Sequence, residues 1–575
     1  MVLRASSVGT VIQGLLPFGT DSAARPNWTL CPIWPPDVFA VAATLAFSSS
    51  CYAEPGLLLH RNAAEQTEKR KWAASAVRIG KRWRQSTDLS TPTQVQSWWK
   101  ELWRSRDEPL CAGPEEGKLW KRACMNLLAA ADEACSGVGY TPDEEGIASF
   151  VWNEFLSNTK PVLENIPNSI AFQVPKEVAC VLPKALTPDA GCTVRSLSHN
   201  LALLPGIGVV KAEWYIGDFP AARPSISRNI SNAVEGLTEG HSMNLLLVPF
   251  PYSVHGLDFC VSRISEEGGP ERSRPAGYFR VRQNWLRIGS RTITAAQFAS
   301  FLSSLIRRAA RDMGEIHGVV LPEASLTRNL AVRVAKILAR RHPKLQFLAC
   351  GALSSIDGEE RNEAVLIRLH EKEIAHRFIQ SKHHRWRIND RQLLQYQLGG
   401  VLDPTRTWWE DIALHTRQIQ FGVNGHGAVI ATLICEDLAR PDPVLPVITA
   451  IGPNLVIALL MDGPQLESRW PARYATVLAD DPGSSVLTLT SAGMVERTIP
   501  PTGDSRNVIG LWKHRESRAT ELVLPQKALA LVVSLALNEK LQVTLDGRED
   551  RKAIEYSLAG LRNVYLDERP EWLDR

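Results

Sequence analysis

Most marks of a special environment are missing from this 575-residue sequence. No apolar run approaches the roughly 18 residues that a membrane span needs. The best candidate, Val38–Phe47, is too short and follows Pro35 and Pro36. Arg4 stands near the N-terminus, but Gln13 and Gly14 interrupt the apolar stretch behind it, so no secretory signal is expected. The ten cysteines are scattered and no two stand in C-x-x-C spacing, which argues against structural zinc and for free thiols in a reducing cytoplasm. A net charge of +4 is too small, for this length, to imply nucleic acid by itself. Internal repeats, low-complexity blocks, a G-x-S-x-G elbow, a P-loop and a zinc-deaminase signature are all absent.

What is present has the balance of an ordinary globular protein, 44% hydrophobic and 22% charged, which excludes a disordered or fibrous chain. At roughly 150 residues per domain the length allows two to four domains. The N-terminal part, residues 1–190, is set apart by tryptophan, since nine of the 17 fall before residue 160. Val95–Arg104 and Leu119–Ala131 have helical apolar spacing, so a mainly helical unit is expected there. Between residues 60 and 106, eleven Lys and Arg face four Asp and Glu, with Trp72, Trp83, Trp98, Trp99 and Trp103 interleaved. Two readings fit: a nucleic-acid surface on which rings stack on bases, or a helical domain with tryptophans inside and arginines in solvent. The second is the expectation, because charged helix faces are usually only solvated.

A connecting segment is expected over 191–240, then strands alternating with helices over 241–545, then a C-terminal tail over 546–575. Leu245–Phe250 is a buried apolar run ended by Pro251. Thr294 and Gln297 form a capping box before the apolar stripe Phe298, Leu302, Leu305, Ala309 and Met313, with Gly314 suited to end that helix. Strands are expected at Ile316–Leu321, Leu345–Cys350, Val365–Leu369, Ile374–Gln380, Ala428–Ile434, Leu455–Leu460, Val486–Leu489 and Ala528–Val533, and a helix at Leu330–Arg340. The class is α/β, with several strands buried on both faces.

Three of these strands run into reactive residues: Glu323, Lys382 and Cys435. Strand ends of such sheets commonly hold reactive groups, because the scaffold is rigid while the loop stays open. The three types also suit one reaction. A thiolate attacks an amide or nitrile carbon, a carboxylate moves the protons, and an ammonium stabilises the charge that develops. No metal or cofactor is needed. Their heads are expected within about 3–5 Å of one another.

The words Val-Val-Leu-Pro-Glu323, the strand entering Lys382, and Leu-Ile-Cys435-Glu-Asp, in that order, resemble the carbon–nitrogen hydrolase (nitrilase) superfamily. Leu455–Leu460 matches the next apolar strand, the stretch Arg473 to Asp481 resembles the helix that follows, and Val486–Gly493 the strand and glycine after it. The resemblance covers about residues 240–545. It implies a four-layer α-β-β-α sandwich, often dimerised through its outer helices. It makes Glu323 the base, Lys382 the stabilising cation, Cys435 the nucleophile and the Glu436 N–H an oxyanion donor. Family members often have a second glutamate soon after the lysine; here Asp390 or Gln392 is expected to substitute. A long run before Glu323 suggests an insertion around Ser262–Gly277.

Lys382-His-His-x-Trp386 resembles, more distantly, the nitrilase-like domains associated with reverse transcriptases in bacterial anti-phage defence. His383 and His384, being consecutive, are expected on opposite sides of an extended chain as lining or packing residues. Asp480-Asp481 is no polymerase pair, since it lacks the preceding aromatic and a partner motif. The reading is therefore a cytoplasmic carbon–nitrogen hydrolase acting on a small amide in preference to a nitrile, as a homo-oligomer without a membrane partner. Its rivals are a triggered defence effector with a nucleic-acid or reverse-transcriptase partner, and a nitrilase-like scaffold without turnover.

Overall fold

The computed structural model describes residues 7–20, 26–49, 51, 63–86, 90–111, 118–140, 174–175, 178–188, 193–205, 210–216, 242–264, 275–415, 417–424, 427–442, 444–498, 507–542, 544–548 and 551–573. Arg4 and most of the expected insertion lie outside these residues, as does 141–173 of the N-terminal part.

The N-terminal part contributes α1 (Val8–Leu15), α2 (Pro35–Ser48), α3 (Ala63–Arg84), α4 (Thr93–Arg104) and α5 (Lys118–Ala134). Proline at its first turn starts α2 without loss of a needed donor. The apolar run Val38–Ala46 makes α2 hydrophobic nearly all round, and it is buried against α5 and the antiparallel pair Ala179–Pro183/Leu201–Pro205. Trp83, Trp99 and Trp120 are fully buried in the same core, with Trp72, Trp98 and Trp103 packed on its margin. The rings fill the interior; the interleaved cations face out. Among the described residues no helix is long and apolar enough to cross a membrane.

Two large sheets form the rest. The first runs, in spatial order, Glu373–Ser381, Glu359–His370, Phe347–Ile356, Gly318–Val320, Ser242–Leu247, Ala530–Gln542, Arg551–Val564, with Leu326–Thr327 beside Phe347–Ile356. Its period-2 alternation sorts neighbours to opposite faces. Leu245, Leu247, Val320, Phe347, Leu366 and Val533 enter the core shared with the second sheet. Leu246, Val319, Leu348, Val365 and Val532 instead face α6 (Ala295–Met313) and α7 (Arg328–Arg341). The capping box at Thr294 and Gln297 and the Gly314 terminus are both present, the glycine at φ +74°.

The second sheet runs Thr520–Val523, Val508–Lys513, Ser485–Leu489, Leu455–Leu459, Val429–Ile434, Arg417–Val423, Val210–Ile216. A short α8 (Asp390–Gln395) lies in the chain between Glu373–Ser381 and Arg417–Val423; α9 (Val444–Ile451), α10 (Trp470–Asp480) and α11 (Ala492–Arg497) come later. Apolar residues of α9 and α10 pack on the second sheet. A small sheet, Arg387–Ile388, Thr407–Glu410, Ala276–Val281, Phe259–Ile264, is formed by the flanks of the expected insertion and the segment after Lys382.

Two expected boundaries need correction. The supposed connecting segment 191–240 supplies Val210–Ile216, the edge strand of the second sheet, in parallel register with Arg417–Val423. The supposed tail 546–575 supplies Arg551–Val564, an edge strand paired antiparallel to Ala530–Gln542 along its length. Both are edge strands, completed by hydrogen bonds to a distant segment, and so carry weaker apolar patterns than the central strands. The turn before the last strand also ties it to the helical part. Fully buried Arg548 bonds Asp132 (3.0 Å), Glu133 (2.9 Å) and Asp546 (3.0 Å). Asp132 in turn accepts from the backbone N–H groups of His199, Asn200 and Leu201.

Candidate active site

The strand Gly318–Val320 runs parallel to Phe347–Ile356. Two antiparallel steps later, Glu373–Ser381 points the same way. Their carboxyl ends therefore reach one edge of the first sheet and deliver Glu323 and Lys382 there. Cys435 comes from the end of Val429–Ile434 in the second sheet, so the site straddles the sheet–sheet interface.

Lys382 is fully buried, and its ammonium bonds Glu323 Oε1 at 2.8 Å and Glu410 Oε2 at 2.8 Å. Asn362 bridges the same two carboxylates, donating to Glu323 Oε1 at 2.8 Å and Glu410 Oε1 at 2.7 Å. Trp386 N–H donates to Glu410 Oε2 at 3.0 Å. Among the described residues no donor reaches Glu323 Oε2, although it is buried. That oxygen is the atom free to take a proton.

Cys435 is 4% exposed and holds φ +43°, a left-handed conformation that costs a non-glycine residue about 1–2 kcal/mol. It opens the 3₁₀ turn Cys435–Leu438, whose first N–H groups, that of Glu436 among them, have no acceptor within the turn. The Glu436 carboxylate points instead to Arg440, at 2.8 Å. Burial pushes the Cys435 thiol well above its ordinary pKa; Glu323, Glu436 and Asp462 add to this and Lys382 opposes it. Burial likewise raises Glu323, with Glu410 adding to the rise while Lys382 counters it. Burial works against the charge on Lys382, but Glu323, Glu410 and Cys435 together outweigh it and hold its pKa well above the ordinary value. These directions favour the protonated thiol at Cys435 and the charged ammonium at Lys382, and give Glu323 an enhanced proton affinity.

Asp437 fastens the lysine's loop to the cysteine's turn. Its oxygens accept His383 N–H at 3.1 Å, and His384 Nδ1 lies 3.1 Å from Oδ1. His383 Nδ1 is 3.5 Å from Oδ2. The two rings flank one carboxylate and do not diverge, because regular strand ends at Ser381.

The expected stand-ins for the second glutamate are displaced. Asp390 is exposed, and Gln392 is engaged in the capping box of α8 with Asn389. The second carboxylate on Lys382 is instead Glu410, carried by the strand Thr407–Glu410 of the small sheet. Residues 276–279 pair with that strand in parallel, and the distance of Glu410 from Lys382 in sequence hides their contact. The sequence reading also missed Asn362, which shows no local signal, and a second cluster past the strand Leu455–Leu459. There Asp462 accepts from Tyr396 Oη (2.5 Å), Gly463 N (2.8 Å), Arg469 Nη2 (2.8 Å) and Trp470 Nε1 (3.1 Å). Among the described residues no group of three or more His, Cys, Asp or Glu could hold a metal ion.

Gly351 sets the position of Glu323. A Cβ there would lie 2.2 Å from Glu323 Cα and 2.7 Å from Ala324 N, both backbone atoms. Gly351→Ala is expected to push Glu323 by up to about 1 Å, slowing acylation of Cys435 about 100-fold. It should also destabilise the fold by about 1–3 kcal/mol through overpacking. Intact-protein mass spectrometry with an acylating probe, alongside thermal melting, measures both; an unchanged acylation rate would refute the placement.

No protein-family profile matches this sequence, and no curated protein is similar to it. Solved structures do match. A glutamine-dependent NAD+ synthetase from Acinetobacter baumannii, solved with ADP, is 12% identical at a TM-score of 0.30, with 51% of this chain and 46% of that one covered. A carbon–nitrogen hydrolase superfamily protein from Xanthomonas campestris, with an arsenic adduct in its active site, is 12% identical at 0.29, covering 51% and 90%. Saccharomyces cerevisiae Nit3, of branch 10 of the nitrilase superfamily, is 12% identical at 0.28, covering 58% and 93%. This chain thus matches less than half the length of the synthetase. The structural neighbours of the chain include members of the carbon–nitrogen hydrolase superfamily.

Proposed function

We propose that this protein hydrolyses a carbon–nitrogen bond, that of a small amide in preference to a nitrile, through a thioester at Cys435. The observation that carries the reading is the buried Glu323–Lys382–Glu410 network beside a cysteine in left-handed conformation. Strained backbone of this kind concentrates at reactive centres and persists only where the surroundings enforce it.

Glu323 takes the thiol proton as sulfur attacks the carbonyl carbon, and the C–N bond breaks as Glu323 returns that proton to the leaving amine. Water, deprotonated by the same carboxylate, then cleaves the thioester to release the acid and restore the thiol. Lys382 and the Glu436 N–H stabilise the oxyanion in both steps. Glu410 and Asn362 hold Lys382 and Glu323 in place.

The pH dependence of acylation tests the base. Because Glu323 is raised and must be ionised to act, the rate should climb with pH through a midpoint above the ordinary glutamate value of about 4.3. The same rise should be complete well below the thiol's own titration, which burial displaces upward. Glu323→Gln should remove this limb and slow acylation by about 10²–10⁴-fold. A wild-type rate that instead follows alkaline thiol ionisation would show that Glu323 is not the base.

A further inference from the structure

One cavity of the helical part is lined by cations and not by the tryptophans. A hollow of about 640 Å³ lies between α3 and the Gly547–Arg548 turn, and Arg70, Arg78, Lys81, Arg82 and Gln85 line its helical side. At 100° per residue these side chains share one face of α3, while Ala76, Gly80 and Trp83 lie buried on the other. Gly80 brings that second face against α5, since a Cβ there would be 2.6 Å from the Ala130 carbonyl oxygen. The orientation of the cationic face is therefore fixed by packing.

Arg70, Arg78, Lys81 and Arg82 are exposed, and among the described residues their charge has no carboxylate partner. Arg548, on the opposite wall, is already saturated by Asp132, Glu133 and Asp546. From Arg70 to Arg82 the stripe spans about 18 Å at 1.5 Å per residue. That is too long for one small anion and equals about five phosphates of one duplex strand at 3.4 Å each. Single strands are usually held by aromatic platforms. The tryptophans of α3, Trp72 and Trp83, lie on its packed side. A row of cations without rings suits the even phosphate rail of a duplex.

We propose that this face of α3 binds the phosphate backbone of a double-stranded nucleic acid without reading its sequence. The site is separate from Cys435 and independent of the hydrolase reading.

The test is fluorescence anisotropy of the full chain with labelled 20-base-pair DNA and RNA duplexes, a single-stranded 20-mer, and ATP as competitor. Four neutralised phosphates predict a log–log salt slope of about −3.6, so affinity should fall about 150-fold from 50 to 200 mM salt. In the triple variant Arg78→Ala, Lys81→Ala, Arg82→Ala one cation remains, and the same change in salt should cost only about 3.5-fold. The arms distinguish DNA from RNA, and binding of either duplex with these slopes supports the site. Overturning results are no duplex binding at 50 mM salt, a triple variant with the parent slope, stronger binding of the single strand, or displacement by ATP at equal phosphate concentration. A triple variant that melts lower while the parent binds nothing would assign the cations to offsetting the nearby buried carboxylates. Should the triple variant not fold, the parent slope and the exposed single change Arg70→Ala decide the matter.

Discussion

Cys435→Ala is expected to abolish covalent capture of an amide- or nitrile-derived probe and all hydrolysis, while melting within a few degrees of the parent. Alanine removes the thiol that lies within electrostatic reach of Glu323 and Lys382. Its loss leaves the Lys382 ion pairs untouched, because they involve the two glutamates and not the sulfur. Alanine pays the same left-handed backbone cost, so no strain is relieved and stability changes only through one lost sulfur. Intact-protein mass spectrometry reads the outcome. Among the described residues Cys31, Cys51, Cys124, Cys135 and Cys350 are also buried, Cys180 and Cys260 are half-buried, and Cys111 is exposed. Labelling that persists in Cys435→Ala at the parent rate would move the chemistry to one of these and leave the scaffold reading in its place.

Lys382→Met should have the larger effect on stability. Methionine preserves much of the side-chain volume but leaves Glu323 and Glu410 facing each other, buried and without their cation. Breaking one partner out of a buried ion pair typically costs about 3–5 kcal/mol. For about 300 residues, at about 2.1 cal/mol/K each, that corresponds to a melting point lower by roughly 5–8 °C. Glu323, already raised, should rise further, because the group that opposes its rise is gone. Deacylation should slow by at least about 100-fold with the oxyanion partner removed. The double variant Lys382→Met, Glu410→Gln separates the two roles. Removing one of the stranded charges should recover part of the stability and none of the turnover. Recovered turnover would show that Lys382 acts only as a structural counterion.

The linkage sign for Lys382 follows from its direction. Its folded pKa lies above the unfolded value near 10.4, so its contribution is fully present below that pH. That contribution is lost only as pH rises through the still higher folded value. Parent and Lys382→Met should therefore differ in stability throughout the neutral range, and the gap should narrow only in strong alkali.

Local chemistry explains which features were legible beforehand. Central strands such as Leu455–Leu459 and Val429–Ile434 are buried on both faces, so each writes its position as an unbroken apolar run. Helix α6 announces itself twice, through its stripe and its capping box. Glu323 and Cys435 are legible because each stands just past such a run, and Lys382 because it directly follows the strand Glu373–Ser381. Those signals are local in sequence, and local propensity and periodicity can carry them.

Other features depended on distant segments meeting. Val210–Ile216 and Arg551–Val564 become sheet edges only because Arg417–Val423 and Ala530–Gln542 offer them hydrogen bonds. Glu410 becomes the lysine's second carboxylate only because the small sheet carries it back to Trp386 N–H. The rings of α3 and α4 left solvent because α2 and α5 supplied a core to receive them. By itself, then, the sequence determined the α/β class, most central elements and the order Glu323, Lys382, Cys435. Tertiary structure alone decided that two sheets would bring these together, that Glu410 and Asn362 would clamp Lys382, and that Cys435 would be held at positive φ. A single side chain's environment in such a site is set by strands hundreds of residues apart, whose pairing energy is shared across the whole sheet and written at no one position.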